Sequence, residues 1–264
     1  MQCPPHRDAA GPPAPLGTLG LLALVALGEI VPRLGLVPRR FVPTSGEIAV
    51  ALVDELGQAA FWQALLDTVQ GWALGLLIAS VAGVVLGIVI GSSAFLRELT
   101  ASTIEFLRPI PSVALIPLAV LVFGTDIESK LLLVVYAAFW QMLVQVLYGV
   151  QDVDPVAAET ARSYRFGRWA RIRYVVWPTA LPYVMTGLRL AAAVALILAV
   201  TSELIIGNPG IGNRLAVAQN SGAVDTTYAL VVVAGLLGVL VNLVARWIER
   251  RVLAWHPSQR SEGV

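Results

Sequence analysis

Apolar runs of membrane-spanning length constrain this chain more than any other feature. A helix needs about 20 apolar residues to cross a bilayer. Only 13% of the 264 residues are charged, whereas soluble domains usually carry about 25%. The sequence therefore predicts an all-α integral membrane protein with about six transmembrane helices, at Leu16–Val37, Gln70–Gly91, Ile104–Phe123, Leu131–Val150, Arg189–Ile206 and Thr226–Ile248.

The distribution of basic residues orients these spans. Six spans place both termini on the same side of the membrane. If that side is the cytoplasm, 13 of the 18 lysines and arginines face inward. Because cytoplasmic loops carry the excess of basic residues, both termini are predicted to be cytoplasmic. The five basic residues on the other side are Arg33, Arg39, Arg40, Lys130 and Arg214.

The polar segments complete the predicted domain organisation. Acidic residues interrupt Val42–Trp62, which is predicted to be interfacial or a loop. A transmembrane domain is predicted over 16–250, between a disordered, proline-rich cytoplasmic tail over 1–15 and a cytoplasmic C-terminal tail over 251–264. A cytoplasmic loop is predicted over 151–182.

Small residues recur every four positions along the second predicted span. On a helix this spacing lets a neighbouring backbone approach closely. The neighbour can belong to the same subunit or to another subunit, and the pattern alone leaves both open. The residues are Gly71, Gly75, Ala79, Gly83, Gly87 and Gly91.

Two groups of residues are candidates for a translocation path. Pro109, Pro111 and Pro117 interrupt the third span, together with Ser112. Such breaks occur where the backbone is buried in protein or lines a cavity, so packing and path lining are both open. Glu203, near Thr201, is the second candidate, because ionisable groups within membranes are costly. It is either an ion-paired gate residue or a side chain hydrated at the interface.

The charged segment from Asp152 to Pro182 separates two apolar spans. Asp154 followed by Pro155 predicts a helix start, and a short helix should run to about Tyr164. The arginines here can anchor to anionic lipid headgroups. Alternatively, the short helix protrudes from the membrane surface and is bound by a soluble partner. The arginines are Arg162, Arg165, Arg168, Arg171 and Arg173.

This segment resembles the EAA loop of ABC importer permeases. The resemblance rests on Glu159-Thr160-Ala161, on Gly167 and on Val175-Val176-Trp177-Pro178. Aligned on Glu159 and Pro178, the family's glycine position falls on Arg165. The resemblance implies an ATPase-coupling set consisting of Asp154, Pro155, Glu159, Ala161, Arg162, Tyr164, Arg165, Gly167 and Pro178.

Further pieces are similar to the nitrate, sulfonate and taurine branch of that family. They are the runs Arg108–Gly124 and Asp126–Lys130, the pair Ser202-Glu203, and Gly210-Ile211-Gly212. Their order and spacing extend the resemblance over most of the chain.

The resemblance implies a homodimeric permease with the type I ABC importer fold in a bacterial plasma membrane. Cytosolic ATPase subunits would hold ATP and Mg²⁺, and an extracytoplasmic binding protein would deliver a small anionic solute of the sulfonate, nitrate or taurine kind. The sequence lacks the G-x-x-x-x-G-K-[ST] motif with which a P-loop cradles nucleotide phosphates. The chain is therefore expected to be no enzyme and to bind no cofactor. No nucleic-acid partner is expected.

Metal chemistry and other classes of membrane protein have weaker support. Cys3, His6 and His256 lie in the tails, so no metal site is expected in the apolar body. A secondary transporter or channel that works without an ATPase would show repeats in matching halves, and no convincing repeat is visible. An integral-membrane enzyme would cluster catalytic groups at one depth, whereas Asp152 and Asp154 are explained by a helix start.

Overall fold

The computed structural model describes residues 14–38 and 40–254. The tail predicted over 1–15 falls almost wholly outside these residues, as do Arg39, most of the C-terminal tail, Cys3 and both histidines. Within the described ranges the chain forms helices and no strands. They are α1 Ala14–Arg33, α2 Ser45–Leu56, α3 Ala59–Gly91, α4 Ala94–Leu107, a 3₁₀ turn Ser112–Leu115, α5 Ile116–Phe123, α6 Ile127–Gln151, α7 Pro155–Ser163, α8 Arg168–Arg171, a π segment Ile172–Val176, α9 Trp177–Ile206, α10 Ile211–Asn220 and α11 Val224–Val252.

Among the described residues, five helical segments are long and apolar enough to cross a membrane, or six if one bent pair counts as a span. The five are α1, α3, α6, the continuous stretch Arg168–Ile206 that contains α9, and α11. The bent pair is α4 with Ser112–Phe123, at 81° to each other. The prediction of about six transmembrane helices is confirmed.

The third predicted span, Ile104–Phe123, is wrong as a single helix. The chain breaks after Leu107 and restarts at Ser112. Pro109 and Pro111 lack backbone donors, and proline disfavours the helical conformation of the residue before it. The prolines therefore end one helix and redirect the next, rather than kinking one continuous span.

The core of the bundle is α6, which packs against α3 and α9. The small residues of α3 face α6, where Leu133, Val134, Met142 and Val146 are buried. A Cβ added at Gly83 would lie 2.5 Å from the Cβ of Met142, closer than two carbon atoms can pack. The structure thus places the stripe, including Gly75, Gly87 and Gly91, against a helix of the same chain.

Two helices begin more than ten residues before the runs that the apolar pattern marked. α3 begins at Ala59 rather than Gln70, and α9 begins at Trp177 rather than Arg189. Arg189 therefore lies inside α9, where its guanidinium contacts the carboxylate of Glu249 on α11 at 3.2 Å. The ion pair offsets the cost of a charge within the helix.

The segment predicted to be interfacial contains α2, a 12-residue helix that is too short to span. Thr44 and Glu47 form a capping box at its start, satisfying amide groups that no helical carbonyl can reach. Glu29 of α1 accepts a further hydrogen bond from the backbone N–H of Gly46 at 2.9 Å. The Glu29 carboxylate therefore connects α1 to α2. α1 ends at Arg33, short of the predicted Val37.

Candidate functional site

The coupling loop predicted over 151–182 forms an arm that consists of α7, α8 and the π segment. Asp154 precedes α7, and its Oδ1 accepts a hydrogen bond from the backbone N–H of Val156 at 2.8 Å. Pro155 occupies the first helical position, where a missing N–H is not needed. The helix ends at Ser163, one residue before the predicted Tyr164. The local sequence signals at Asp154 and Pro155 therefore set the start of α7.

Arg165 occupies a left-handed backbone position immediately after α7. Its φ is +55°, and its N–H donates to the carbonyl of Arg162 at 2.9 Å. The N–H of Phe166 donates to the carbonyl of Ala161 at 2.9 Å. These two bonds form the Schellman arrangement, which usually places glycine at the left-handed position. Gly167 has a φ of −61°, so Arg165 fills the glycine position and the turn is preserved.

Replacing Arg165 by glycine is expected to stabilise the end of α7 by less than about 1 kcal/mol, because L-residues are strained in the left-handed region. Hydrogen exchange of the α7 amides should slow in Arg165→Gly. The matched control is Arg162→Gly inside the helix, where glycine costs about 1 kcal/mol and exchange should accelerate. Faster exchange in both variants would contradict the assignment of this turn.

The outer surface of the arm is apolar and basic. α7 buries only Ala161, while Tyr164 and Trp169 are each 76% exposed. Val156 is also largely exposed. Aromatic side chains and arginine are enriched at protein–protein interfaces. The arm therefore presents a surface of the composition that protein partners bind.

The arm continues into a membrane-spanning helix without a loop. The π segment follows α8, and the N–H of Trp177 donates to the carbonyl of Ile172 five residues earlier. Pro178 lies in the first turn of α9, where its missing N–H is tolerated. At the base of the arm, the hydroxyl of Tyr183 donates to Asp152 at 2.8 Å. α8, the π segment and α9 therefore form one continuous helical stretch from Arg168 to Ile206.

A second cluster of polar side chains is buried at the opposite end of α9. Glu203 is fully buried, and its Oε1 lies 2.8 Å from Nζ of Lys130 on α6. Its Oε2 accepts hydrogen bonds from the Thr68 hydroxyl at 2.8 Å and from the backbone N–H of Gly212 at 3.0 Å. Lys130 also donates to the carbonyl of Pro209. This cluster joins α3, α6, α9 and the start of α10, and it rules out the alternative of a hydrated Glu203 in this conformation.

The loop between α9 and α10 is fixed from a second side by Asn208. Its side-chain amide donates to the carbonyl of Asp126 at 2.8 Å and to the hydroxyl of Ser129 at 3.2 Å. Gly212 allows the close approach, because a Cβ there would lie 2.2 Å from the carbonyl oxygen of Val200. The loop and α10 are therefore clamped onto the ends of α6 and α9.

The residues proposed for a path are not gathered into one site. Pro109 and Pro111 lie exposed in the break after α4, Ser112 begins the 3₁₀ turn half-buried, and Pro117 lies exposed in α5. Thr201 is half-buried on α9. Within the described ranges, no side-chain hydrogen bond of Glu203 involves the broken segment. Their role in a path stays a prediction.

Lys130, Thr68 and Asn208 were not among the site residues predicted from the sequence. The sequence offered one signal for Lys130, because it is the single lysine of the chain and all other basic residues counted with it are arginines. α10 was also missed, although Ile211, Leu215 and Ala218 have helical spacing.

Comparisons with known proteins find relatives of this chain by sequence. Residues 83–254 match the family described as the binding-protein-dependent transport system inner membrane component. The chain is 32% identical over 246 residues to the taurine transport system permease protein of Escherichia coli, covering 91% of this chain and 89% of that protein. It is 29% identical over 196 residues to the nitrate import permease protein of Leptolyngbya laminosa, covering 74% and 70%.

Solved structures share the fold at low sequence identity. A bacterial ABC transporter involved in the import of the acidic polysaccharide alginate superposes with a TM-score of 0.65 at 17% identity, covering 90% of this chain and 95% of that chain. A methionine ABC transporter in an inward-facing conformation gives a TM-score of 0.64 at 16% identity, covering 73% and 96%. The type I importer permease architecture is therefore that of this bundle.

Proposed function

The chain belongs to the binding-protein-dependent transport system inner membrane components, and we propose that its α7 arm is the part that receives motion from a cytosolic ATPase. As a permease subunit of an ABC importer it is a multi-pass membrane protein. The single observation that carries the proposal is that exposed α7 leads, through the short turn at 164–167, into the continuous helical stretch Arg168–Ile206. ATPase closure would displace α7, and α9 would carry that displacement across the membrane as a rigid-body switch.

The topology follows from the same assignment. With α7 in the cytoplasm, both termini are cytoplasmic and the cluster around Glu203 faces the extracytoplasmic side. We propose two copies of the chain in the complex, with ATP and Mg²⁺ held only by the ATPase subunits and no enzymatic activity in this chain. The binding protein would dock from the extracytoplasmic side.

A small anionic solute is the proposed substrate. The taurine and nitrate named for two relatives are small and carry an anionic group. Cationic side chains in the described residues are mostly in the arm and near the helix ends. Lys130 is already paired with Glu203. Specificity is therefore expected to reside mainly in the binding protein.

Uptake into proteoliposomes tests ATP-driven transport against a secondary transporter or channel. The chain is reconstituted with its ATPase and binding protein, and uptake of radiolabelled taurine, nitrate and an uncharged sugar is followed. We expect uptake of an anion only when ATP is present on the side of the membrane that carries the ATPase. The mass of the reconstituted complex should correspond to two copies of the chain. Uptake without ATP, driven by an ion gradient, would contradict the proposal, and preference for the sugar would contradict the substrate class.

A further inference from the structure

A cleft of about 350 Å³ lies beside the coupling arm. Its walls come from the end of α3 at Gly91, the end of α6 at Val150, and the π segment before α9. Ala158 of α7 also contributes to the lining. The cleft therefore connects the arm to the ends of three membrane-embedded helices.

The polar lining of this cleft is cationic. Arg97 and Arg171 both line it, with Ser92 and Gln151 as neutral polar neighbours. No carboxylate is among the described residues that line it. Both arginines are half-buried, so water screens their charges less than it screens the charges of the exposed arginines of the arm.

Neither guanidinium group forms an ion pair with an acidic side chain within the described ranges. Arg97 donates to the backbone carbonyl of Gly91. For Arg171 no side-chain hydrogen bond or ion pair occurs within 14–38 and 40–254. The acids nearest to them in sequence are Glu98 and Glu159, and neither lines the cleft. An external anion would supply the missing charge.

The position of the cleft across the membrane favours a phosphate group as its ligand. α3 ends at Gly91 and α6 at Gln151, immediately before the charged segment begins. This level is the boundary between hydrocarbon and polar headgroups, where lipid phosphates are concentrated. Basic pockets between membrane helices bind such headgroups, and arginine pairs with phosphate through two parallel N–H groups.

We propose that Arg97 and Arg171 form a binding site for a phosphate-bearing anion that links the arm to the ends of α3 and α6. An anionic lipid headgroup and free phosphate share this chemistry. The site requires only that the chain spans a membrane, and it does not depend on ATPase docking. A bound phosphate would hold α8 at the depth of the headgroups.

Native mass spectrometry of the purified full chain tests the site. In one titration the protein in neutral detergent receives phosphatidylglycerol, and in a second titration it receives inorganic phosphate. Arg171→Gln is expected to weaken binding about fivefold, the contribution of one basic residue beside an anionic headgroup. The Arg97→Gln/Arg171→Gln double variant should bind more weakly still.

The control variant is Arg168→Gln/Arg173→Gln, which removes the same charge from exposed positions of the same arm. Its binding should stay within about twofold of the original chain, because exposed charges are screened. Binding of phosphatidylglycerol without competition by phosphate assigns the site to lipid, whereas competition assigns it to any phosphate. Equal losses of affinity in both double variants would overturn the proposal. The absence of binding in both titrations would also overturn it. Arg171→Gln removes no internal hydrogen bond, so its result is separable from misfolding.

Discussion

Lys130→Met and Glu203→Gln are each expected to destabilise the protein by about 3–5 kcal/mol, the cost of leaving one charge of a buried pair without its partner. The two side chains are 2% and 0% exposed. In Lys130→Met, the Glu203 carboxylate retains only the Thr68 hydroxyl and the Gly212 amide as donors. In Glu203→Gln, the ammonium keeps neutral acceptors only, namely the amide oxygen and the backbone carbonyls of Asp67 and Pro209. Thermal unfolding of the purified permease measures both effects.

The Lys130→Met/Glu203→Gln double variant distinguishes lost charge pairing from lost packing. Replacing a whole buried pair by neutral groups is often close to neutral, so the double variant should be more stable than either single variant. Arg33→Gln is the matched control, because Arg33 is exposed in its pair with half-buried Glu29 and pairs at the surface contribute at most about 1 kcal/mol. Strictly additive losses in the double variant would contradict the ion-pair account.

The same variants separate a structural clamp from a gate. A clamp that only holds α10 against the bundle predicts that uptake recovers together with stability in the double variant. A gate whose charges must separate during transport predicts that stability recovers while uptake stays low. Glu203 as a gate residue remains a prediction until both quantities are measured.

The number of spans could be predicted from the sequence because lipid imposes a minimum helix length. The helix ends could not. α9 begins 12 residues before the predicted Arg189, and Glu249 on another helix compensates the charge of that arginine within the helix. A compensating contact between α9 and α11 leaves no mark on the apolar pattern of either segment.

The third span shows a different limit. The three prolines were recognised as breaks in a helix, but their consequence for direction was not. Only the structure shows that α4 and the segment after the break lie at 81°. A proline specifies which hydrogen bond is lost, whereas the packing of neighbouring helices determines where the chain goes next.

The two candidate sites differ in how far the sequence specifies them. α7 is built from adjacent residues, so Asp154 and Pro155 could be identified from local rules. The buried cluster joins Thr68, Lys130 and Glu203, with Lys130 and Glu203 73 positions apart and Thr68 and Glu203 135 apart. Pairing over such distances depends on the tertiary fold, and one acidic residue and a solitary lysine do not specify it.

Replacing Pro155–Ser163 by a glycine–serine linker of equal length is expected to abolish association with the ATPase while leaving the bundle folded. The reason is that α7 buries only Ala161, so its loss removes little of the core. The thermal unfolding midpoint should change by no more than a few degrees, as for other surface changes. Membrane insertion should be unaffected, because the spans are unchanged.

A point variant makes the same test without altering the backbone. Val156→Glu places a charge on the proposed docking face, and burying an unpaired charge in an interface is strongly unfavourable. Leu34→Glu is the matched control, since Val156 and Leu34 are each 69% exposed and the proposed topology puts them on opposite sides of the membrane. Only the change at Val156 should weaken the complex.

Co-purification of the ATPase with the tagged permease tests the central claim most directly. The account predicts that the original chain and Leu34→Glu retain the ATPase. It predicts that the linker variant loses it and that Val156→Glu retains much less. An intact complex in the linker variant would show that the ATPase binds elsewhere, and the assignment of α7 as the coupling element would be wrong.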